Sequence, residues 1–327
     1  MNTTPFPRLL GDIGGTNARF AWLSRPGAAL SDVRSYRCAE HPTLEAAIRQ
    51  YLHEQGGENP AACALGIANP VDGDQVRMTN HHWAFSIREL RQGLGLQRLE
   101  VLNDFTALAL ALPALPAQEL QQLGGRSLSE AERTRPHAPL ALLGAGTGLG
   151  VSGLLPAAGG QFLPLAGEGG HATLPACDDE EDAVLRLLRQ EFGHVSAERA
   201  LSGPGLSNLA WAAARLRGAV AERLEPAAVI NGARAGDADC QHAVGWFCAF
   251  LGSVAGNLAL TLGAQGGVYI GGGIAPRLLP ELRASRFRER FEGKGRFAPF
   301  LTPIPCWVID SPVSPALLGA ARALEQM

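Results

Sequence analysis

The sequence predicts an α/β fold in two domains, and three observations carry that expectation. Strand and helix signals alternate through most of the 327 residues. Each half of the chain opens with a strand, a glycine-rich turn and a second strand. Between the halves, Pro113 and Pro116 break the pattern and a polar stretch from Gln118 to His137 follows. A chain of this length can bury a core in each of two domains.

Taken in order, the first element pair is Leu9-Leu10 and Ala18 to Leu23, two apolar runs interrupted by Asp12, Gly14, Gly15, Thr16 and Asn17. Such spacing reads as a hairpin, with glycines free to take positive φ and to offer backbone N–H groups to a ligand. A third strand spans Val33 to Cys38. Thr43 caps a helix running to about His53, where Gly56-Gly57 stops it. Ala62 to Ala68 reads as a strand and Gln75 to Met78 as another. Ser86 and Glu89 have capping-box spacing before a short helix, and Leu99 to Leu102 reads as a buried strand ending at Asn103-Asp104, with a helix through Leu112.

The second series starts with the strand Leu140 to Gly144, a turn, and the strand Leu149 to Leu155. Helices are expected at about Glu180 to Phe192, Leu206 to Leu216 and Ala238 to Leu262. A strand at Val268 to Ile270 meets the turn Gly271-Gly272-Gly273. Trp307 to Ile309 and a final helix from Pro315 complete the pattern. Because both halves begin alike, the chain carries a weak internal repeat.

Composition narrows the function. A content of 46% hydrophobic and 18% charged residues fits a folded globular chain, and a net charge of -3 gives no footprint for nucleic acid or an anionic membrane. Arginine supplies nearly all the positive charge, with Lys294 as the only lysine. The six cysteines are scattered and form no CxxC pair, which suits free thiols in a reducing cytoplasm. Ala243 to Leu262 is uncharged for about a bilayer's length, but its Ser253, Asn257 and Thr261 point to a helix buried inside the protein. No secretion signal is read at the N-terminus.

Three glycine clusters at predicted strand ends, Gly11 to Asn17, Gly144 to Gly150 and Gly271 to Gly273, point to a nucleotide site. A P-loop is excluded, since Lys294 lies outside any Gly-Lys-Ser/Thr sequence. A dinucleotide fingerprint fails as well, because Leu149 stands where its third glycine belongs and a strand follows.

The ordered set GDIGGTNAR, MTNHHWAFS, LNDFTA, GAGTGLG, LAGEGGH, HVSAERALSGPG and GGGIAPR, spread from Gly11 to Arg277, resembles the bacterial glucokinase family. The resemblance implies a two-domain actin-like ATPase (ribonuclease H-like) fold with a cleft between a small and a large domain. The small domain would be 1–112, joined by the C-terminal helix 313–327, and the large one 113–312. It implies a cytoplasmic, homodimeric glycolytic enzyme that phosphorylates glucose with ATP and Mg²⁺, without nucleic-acid or membrane partners.

The same resemblance assigns roles. Asp104 matches the catalytic aspartate, the base that takes a proton from the sugar hydroxyl; by local sequence alone it reads as a helix N-cap. Asn103, Glu168, His171 and Glu198 match sugar contacts, although Glu198 taken alone reads as an exposed glutamate at a helix start. Asp12 matches the aspartate near the metal and transferred phosphoryl. Gly14, Gly15, Thr16 and Asn17 would form one phosphate turn, Gly146, Thr147 and Gly148 the other, and Gly271, Gly272 and Gly273 would lie against adenosine. Mg²⁺ would be held mainly through ATP and water, with Asp12 a possible ligand.

TNHHWAF either lines the sugar cleft from the small domain or seals the sheet edge, with Trp83 and Phe85 expected to pack. Cys177 alone, followed by acids, stands where a neighbouring kinase and repressor family carries a cysteine-rich zinc loop, which argues against structural zinc. Two rivals differ in what they require. A hexose-sensing regulator would add a DNA-binding helix pair, and an actin-like ATPase acting on proteins would lack the polyol-binding set.

Overall fold

The first hairpin follows from its apolar alternation: β1 (Arg8–Ile13) and β2 (Asn17–Leu23) pair antiparallel, Ile13 opposite Ala18. A computed structural model of the chain describes residues 4–326. Residues 4–115, 157–166 and 311–326 form one unit, and 116–156 with 167–310 the other.

The first unit continues with β3 (Ser31–Arg37), α1 (Leu44–Gln55) and β4 (Ala62–Ile67). Thr43 accepts from the Ala46 N–H to cap α1, and Gly56 closes it at positive φ. There follow β5 (Gln75–Arg77), β6 (Ala84–Ser86), α2 (Ile87–Gly93), β7 (Arg98–Asn103) and α3 (Asp104–Ala111).

Its main sheet runs β3-β2-β1-β4-β7, with β1 parallel to β4 and β4 parallel to β7. Burial of every residue in β1 and β4 marks strands covered on both faces. One face packs Leu9, Phe20 and Leu65 against Ile48 and Tyr51 of α1. Leu10, Ala21 and Ala64 point the other way. β7 is an edge strand with only Leu102 fully buried, so the expectation of a buried strand is corrected there.

The second unit starts with β8 (Leu120–Gly124) and α4 (Glu130–Thr134), both inside the stretch read above as polar linker. A full capping box forms at Ser129 and Glu132. At Ser86 the hydroxyl accepts from the Glu89 N–H and donates to Asp74. Then come β9 (Leu140–Ala145) and β10 (Leu149–Pro156), an antiparallel pair, and β11 (Phe162–Gly167). Residues 157–166 group with the first unit, where the Phe162 N–H donates to Gln326; the sequence reading had left them in the second half.

Helices α5 (Asp179–Phe192), α6 (Gly203–Leu216), α7 (Pro226–Arg234) and α8 (Ala238–Leu262) lead to β12 (Gly267–Gly271). Three short helices, α9 (Leu279–Ala284), α10 (Phe287–Glu292) and α11 (Ala298–Leu301), precede β13 (Cys306–Ile309). The long apolar helix α8 is a core element, burying Phe247, Cys248, Phe250 and Leu251. In this sheet β9 pairs antiparallel with β10 and parallel with β12, which is parallel to β13. The order β10-β9-β12-β13 thus repeats β2-β1-β4-β7 of the first unit, orientation for orientation, so the internal repeat is a repeat of topology.

The chain ends in α12 (Ala316–Gln326), which returns to the first unit and lays Leu317, Ala320 and Leu324 against Leu10, Ala21 and Ala64. It meets α3 so closely that a Cβ on Gly319 would stand 1.6 Å from the Ala107 carbonyl oxygen.

Candidate active site

In the first unit, the parallel register places Ile13, Ile67 and Asn103 side by side. The turn after β1 and the Asn103-Asp104 step after β7 therefore leave the sheet at one edge, the carboxyl end of its parallel strands, where open α/β sheets bind ligands. The Gly14 N–H donates to the Asn17 carbonyl at 2.9 Å and closes the hairpin. Neither Gly14 nor Gly15 takes a positive φ, contrary to the expectation from sequence. Gly15 is required for space: a Cβ there would lie 2.9 Å from that of Asn80.

Asn103, not Asp104, is the N-cap of α3; its Oδ1 accepts from the N–H groups of Phe105 at 2.9 Å and Thr106 at 3.2 Å. The cap fixes the amide, whose Nδ2 donates to the Asn69 carbonyl at 3.5 Å. Asp104 is left for another task. Its carboxyl is pushed up to about 7, first by burial and then by the charge of Asp12, against hydrogen bonds from the backbone and Asn103 that favour ionisation. Asp12 is buried and its Oδ2 is 3.2 Å from Nη1 of the half-exposed Arg19. One carboxylate is thus paired to a cation, while burial and the neighbouring charge raise the other's affinity for a proton.

In the second unit, Gly146, Thr147 and Gly148 turn between β9 and β10, closed by a 2.8 Å bond from the Gly146 N–H to the Gly148 carbonyl. The N-terminus of α6 abuts this turn, with the Gly203 N–H donating to the Gly146 carbonyl at 2.8 Å. Gly271 pairs with Gly144 across the sheet. Gly272, at φ +80°, has room for no side chain, since a Cβ would meet the Ala145 carbonyl at 2.2 Å. The second and third glycine clusters therefore share one corner of the unit.

Glu198 belongs to the same corner. It is half-buried, its Oε2 accepts from the Leu149 N–H at 2.9 Å, and it fills the space a Cβ on Gly148 would need. The reading of an exposed glutamate is corrected accordingly. Glu168 and His171 are exposed at the two ends of a one-turn 3₁₀ segment, where the His171 N–H donates to the Glu168 carbonyl. Gly170 of that segment would, with a Cβ, come within 2.0 Å of the Leu149 carbonyl, and the Ala197 N–H bonds the Ala172 carbonyl. Glu168, His171 and Glu198 thus flank the start of β10 together.

Three further residues join the two turns: Ser202 caps α6 at the second, accepting from the Gly205 N–H, and Asn80 and His81 lie against the first. Both stretches stand in the quoted motifs. Trp83 packs as expected, its Nε1 donating to the His41 carbonyl at 2.9 Å, while Phe85 is only half-buried on β6.

Two units of one topology, each with a glycine turn closing an antiparallel strand pair, and a carboxyl of raised proton affinity beside one of them, define the class of actin-like ATP-dependent sugar kinases. Comparison with known proteins narrows this. The chain belongs to the glucokinase family, whose model, Glucokinase, matches residues 9–327. A glucokinase of Chromobacterium violaceum is 54% identical over 320 residues, covering 98% of this chain and 89% of that one. The crystal structure of a glucokinase from an Antarctic psychrotroph superposes with a TM-score of 0.89 at 36% identity, over 99% of this chain and all of that one. A ROK family glucokinase from Streptomyces griseus, solved in complex with glucose and AMPPNP, shares the fold at a TM-score of 0.63 and 19% identity, over 98% of this chain and all of that one.

Proposed function

We propose that this chain transfers the γ-phosphoryl group of ATP to the 6-hydroxyl of D-glucose, giving glucose 6-phosphate and ADP. The observation that carries the reading is Asp104, a carboxyl raised to about 7 at the ligand-binding edge of a parallel sheet, next to a phosphate-type turn. A base of that basicity is matched to neutral operation and contributes about 10² to 10⁴ in rate. Asp104 accepts the hydroxyl proton; the Asn103 amide, held by its cap, bonds neighbouring hydroxyls. Glu168, His171 and Glu198 complete the sugar contacts, carboxylates accepting from the polyol.

Gly15, Thr16 and Asn17 after Gly14 serve one side of the triphosphate. Thr147 and Gly148 with Gly146 serve the other. Gly271 to Gly273 leave backbone for adenosine. Mg²⁺ would keep most of its waters and be held mainly through ATP, with Asp12 the residue to face it, and would supply charge neutralisation at the phosphate oxygens. Free cysteines support a cytoplasmic site, and family kinship supports a homodimer.

A coupled assay across a panel of hexoses and phosphoryl donors tests the reading. Glucose-dependent release of ADP is expected. ATP hydrolysis indifferent to sugar overturns it, and equal turnover of several hexoses replaces it with a broad hexose kinase. Hexose binding without turnover supports a regulator instead.

A further inference from the structure

His81 stands beside the first turn in an arrangement that packing does not explain. Its Nδ1 accepts the Trp83 N–H at 3.3 Å, and its ring meets the Trp83 ring edge-on at 4.8 Å. Trp83 is itself pinned through Nε1 to the His41 carbonyl, to which His82 Nε2 also lies at 3.0 Å. The ring plane of His81 is therefore set from one side. On the other side its Nε2 is buried and has no partner within hydrogen-bonding geometry.

An Nδ1 that accepts must be unprotonated, so in the neutral ring the proton sits on Nε2, a donor whose neighbouring acceptor, the Gly14 carbonyl, lies outside hydrogen-bonding geometry. A buried donor left unsatisfied costs about 1 to 3 kcal/mol, which makes such a group a marker of a ligand contact. Burial and the neighbouring His82 keep the ring neutral. The Gly14 carbonyl is near enough to oppose them, which places the ring at the turn. The adjacent Asn80 packs on Gly15.

We infer that His81 donates a hydrogen bond from Nε2 to a phosphate oxygen of the nucleotide held at the Gly14-Gly15 turn. The inference rests on the kinase reading above. It adds to that turn a side-chain donor that is uncharged and fixed in direction. A hydrogen bond to a charged acceptor is worth about 10- to 100-fold in binding.

Two substitutions separate the two sides of the ring. His81→Asn keeps an acceptor where Nδ1 stands but loses the outer donor; His81→Gln keeps a donor at the outer position but loses the inner acceptor. Steady-state kinetics with ATP and glucose varied separately, and a thermal melt of each variant, give the readout. Expected for His81→Asn is a melt close to wild type, a KM for ATP raised about tenfold or more, and an unchanged KM for glucose. Expected for His81→Gln is a near-normal KM for ATP with a lowered melt. An unchanged KM for ATP in His81→Asn, or a KM rise only in the variant with the lower melt, overturns the assignment. Absence of glucose-dependent ADP release from the wild type would instead refute the kinase reading, so the two failures are distinct.

Discussion

Asp104→Asn is expected to abolish turnover and to stabilise the ligand-free protein at the same time. The carboxyl moves from 3.8 toward about 7 on folding, and each unit is worth about 1.36 kcal/mol. The sign follows from linkage. A carboxyl raised in the folded state supports folding fully below the unfolded value near 3.8, and that support is lost as pH rises through about 7. Above neutrality the ionised side chain costs up to about 4 kcal/mol, reduced to about 2 to 3 by the water that reaches a half-buried group.

Asparagine keeps an oxygen for the Phe105 N–H and carries no charge. The variant should therefore melt about 4 to 6 °C above wild type at about pH 8, with a much smaller gap at about pH 4.5. Its turnover should fall by about 10³-fold or more. The assay is a pair of ligand-free thermal melts with a coupled rate measurement. A gap of the same size at both pH values, or a wild type that melts higher at pH 8, refutes the claim that burial and Asp12 raise this carboxyl.

Wild-type kcat/KM for glucose should rise about tenfold per pH unit up to about 7 and then level off, because only ionised Asp104 accepts the proton; a profile flat across that range removes it as the base. Glu198→Ala should leave the Leu149 N–H without its partner, costing about 1.5 to 3 kcal/mol in a denaturant melt. Glu198→Gln should keep that bond but raise the KM for glucose, and a normal KM would confine Glu198 to the turn. Gly319→Ala should cost about 3 kcal/mol or more, since its Cβ would sit 1.6 Å from a backbone oxygen; an unchanged melt would contradict the close helix contact.

The hairpins, the glycine turns and α8 were legible because each has a local signature: alternation, paired glycines, or a long apolar run. β8 was not, because its Gln121 and Gln122 occupy an edge strand that is half-buried throughout, with no apolar period to read. The short helices α7 and α9 to α11 lie below the length at which periodicity speaks. Asn103 and Asp104 were both singled out, yet which of them caps α3 is decided by a dihedral, at Asn103 ψ 147°, that no residue identity fixes. The tie between Glu198 and Leu149 spans 49 residues and belongs to tertiary packing alone. Gly15 is held to glycine by the space Asn80 takes and not by a positive φ, which no local signature announces.

The seating of α12 on α3 has a consequence for synthesis. The helix that begins at the proposed base is packed by a segment that follows the whole second unit in the chain, so the first unit stays open until α12 has been made. The second unit, whose strands and helices all lie before residue 311, can mature while the chain is still being made. A nascent chain of this kind would acquire the turn at Gly146 to Gly148 early and the packed surroundings of Asp104 only once α12 has been made.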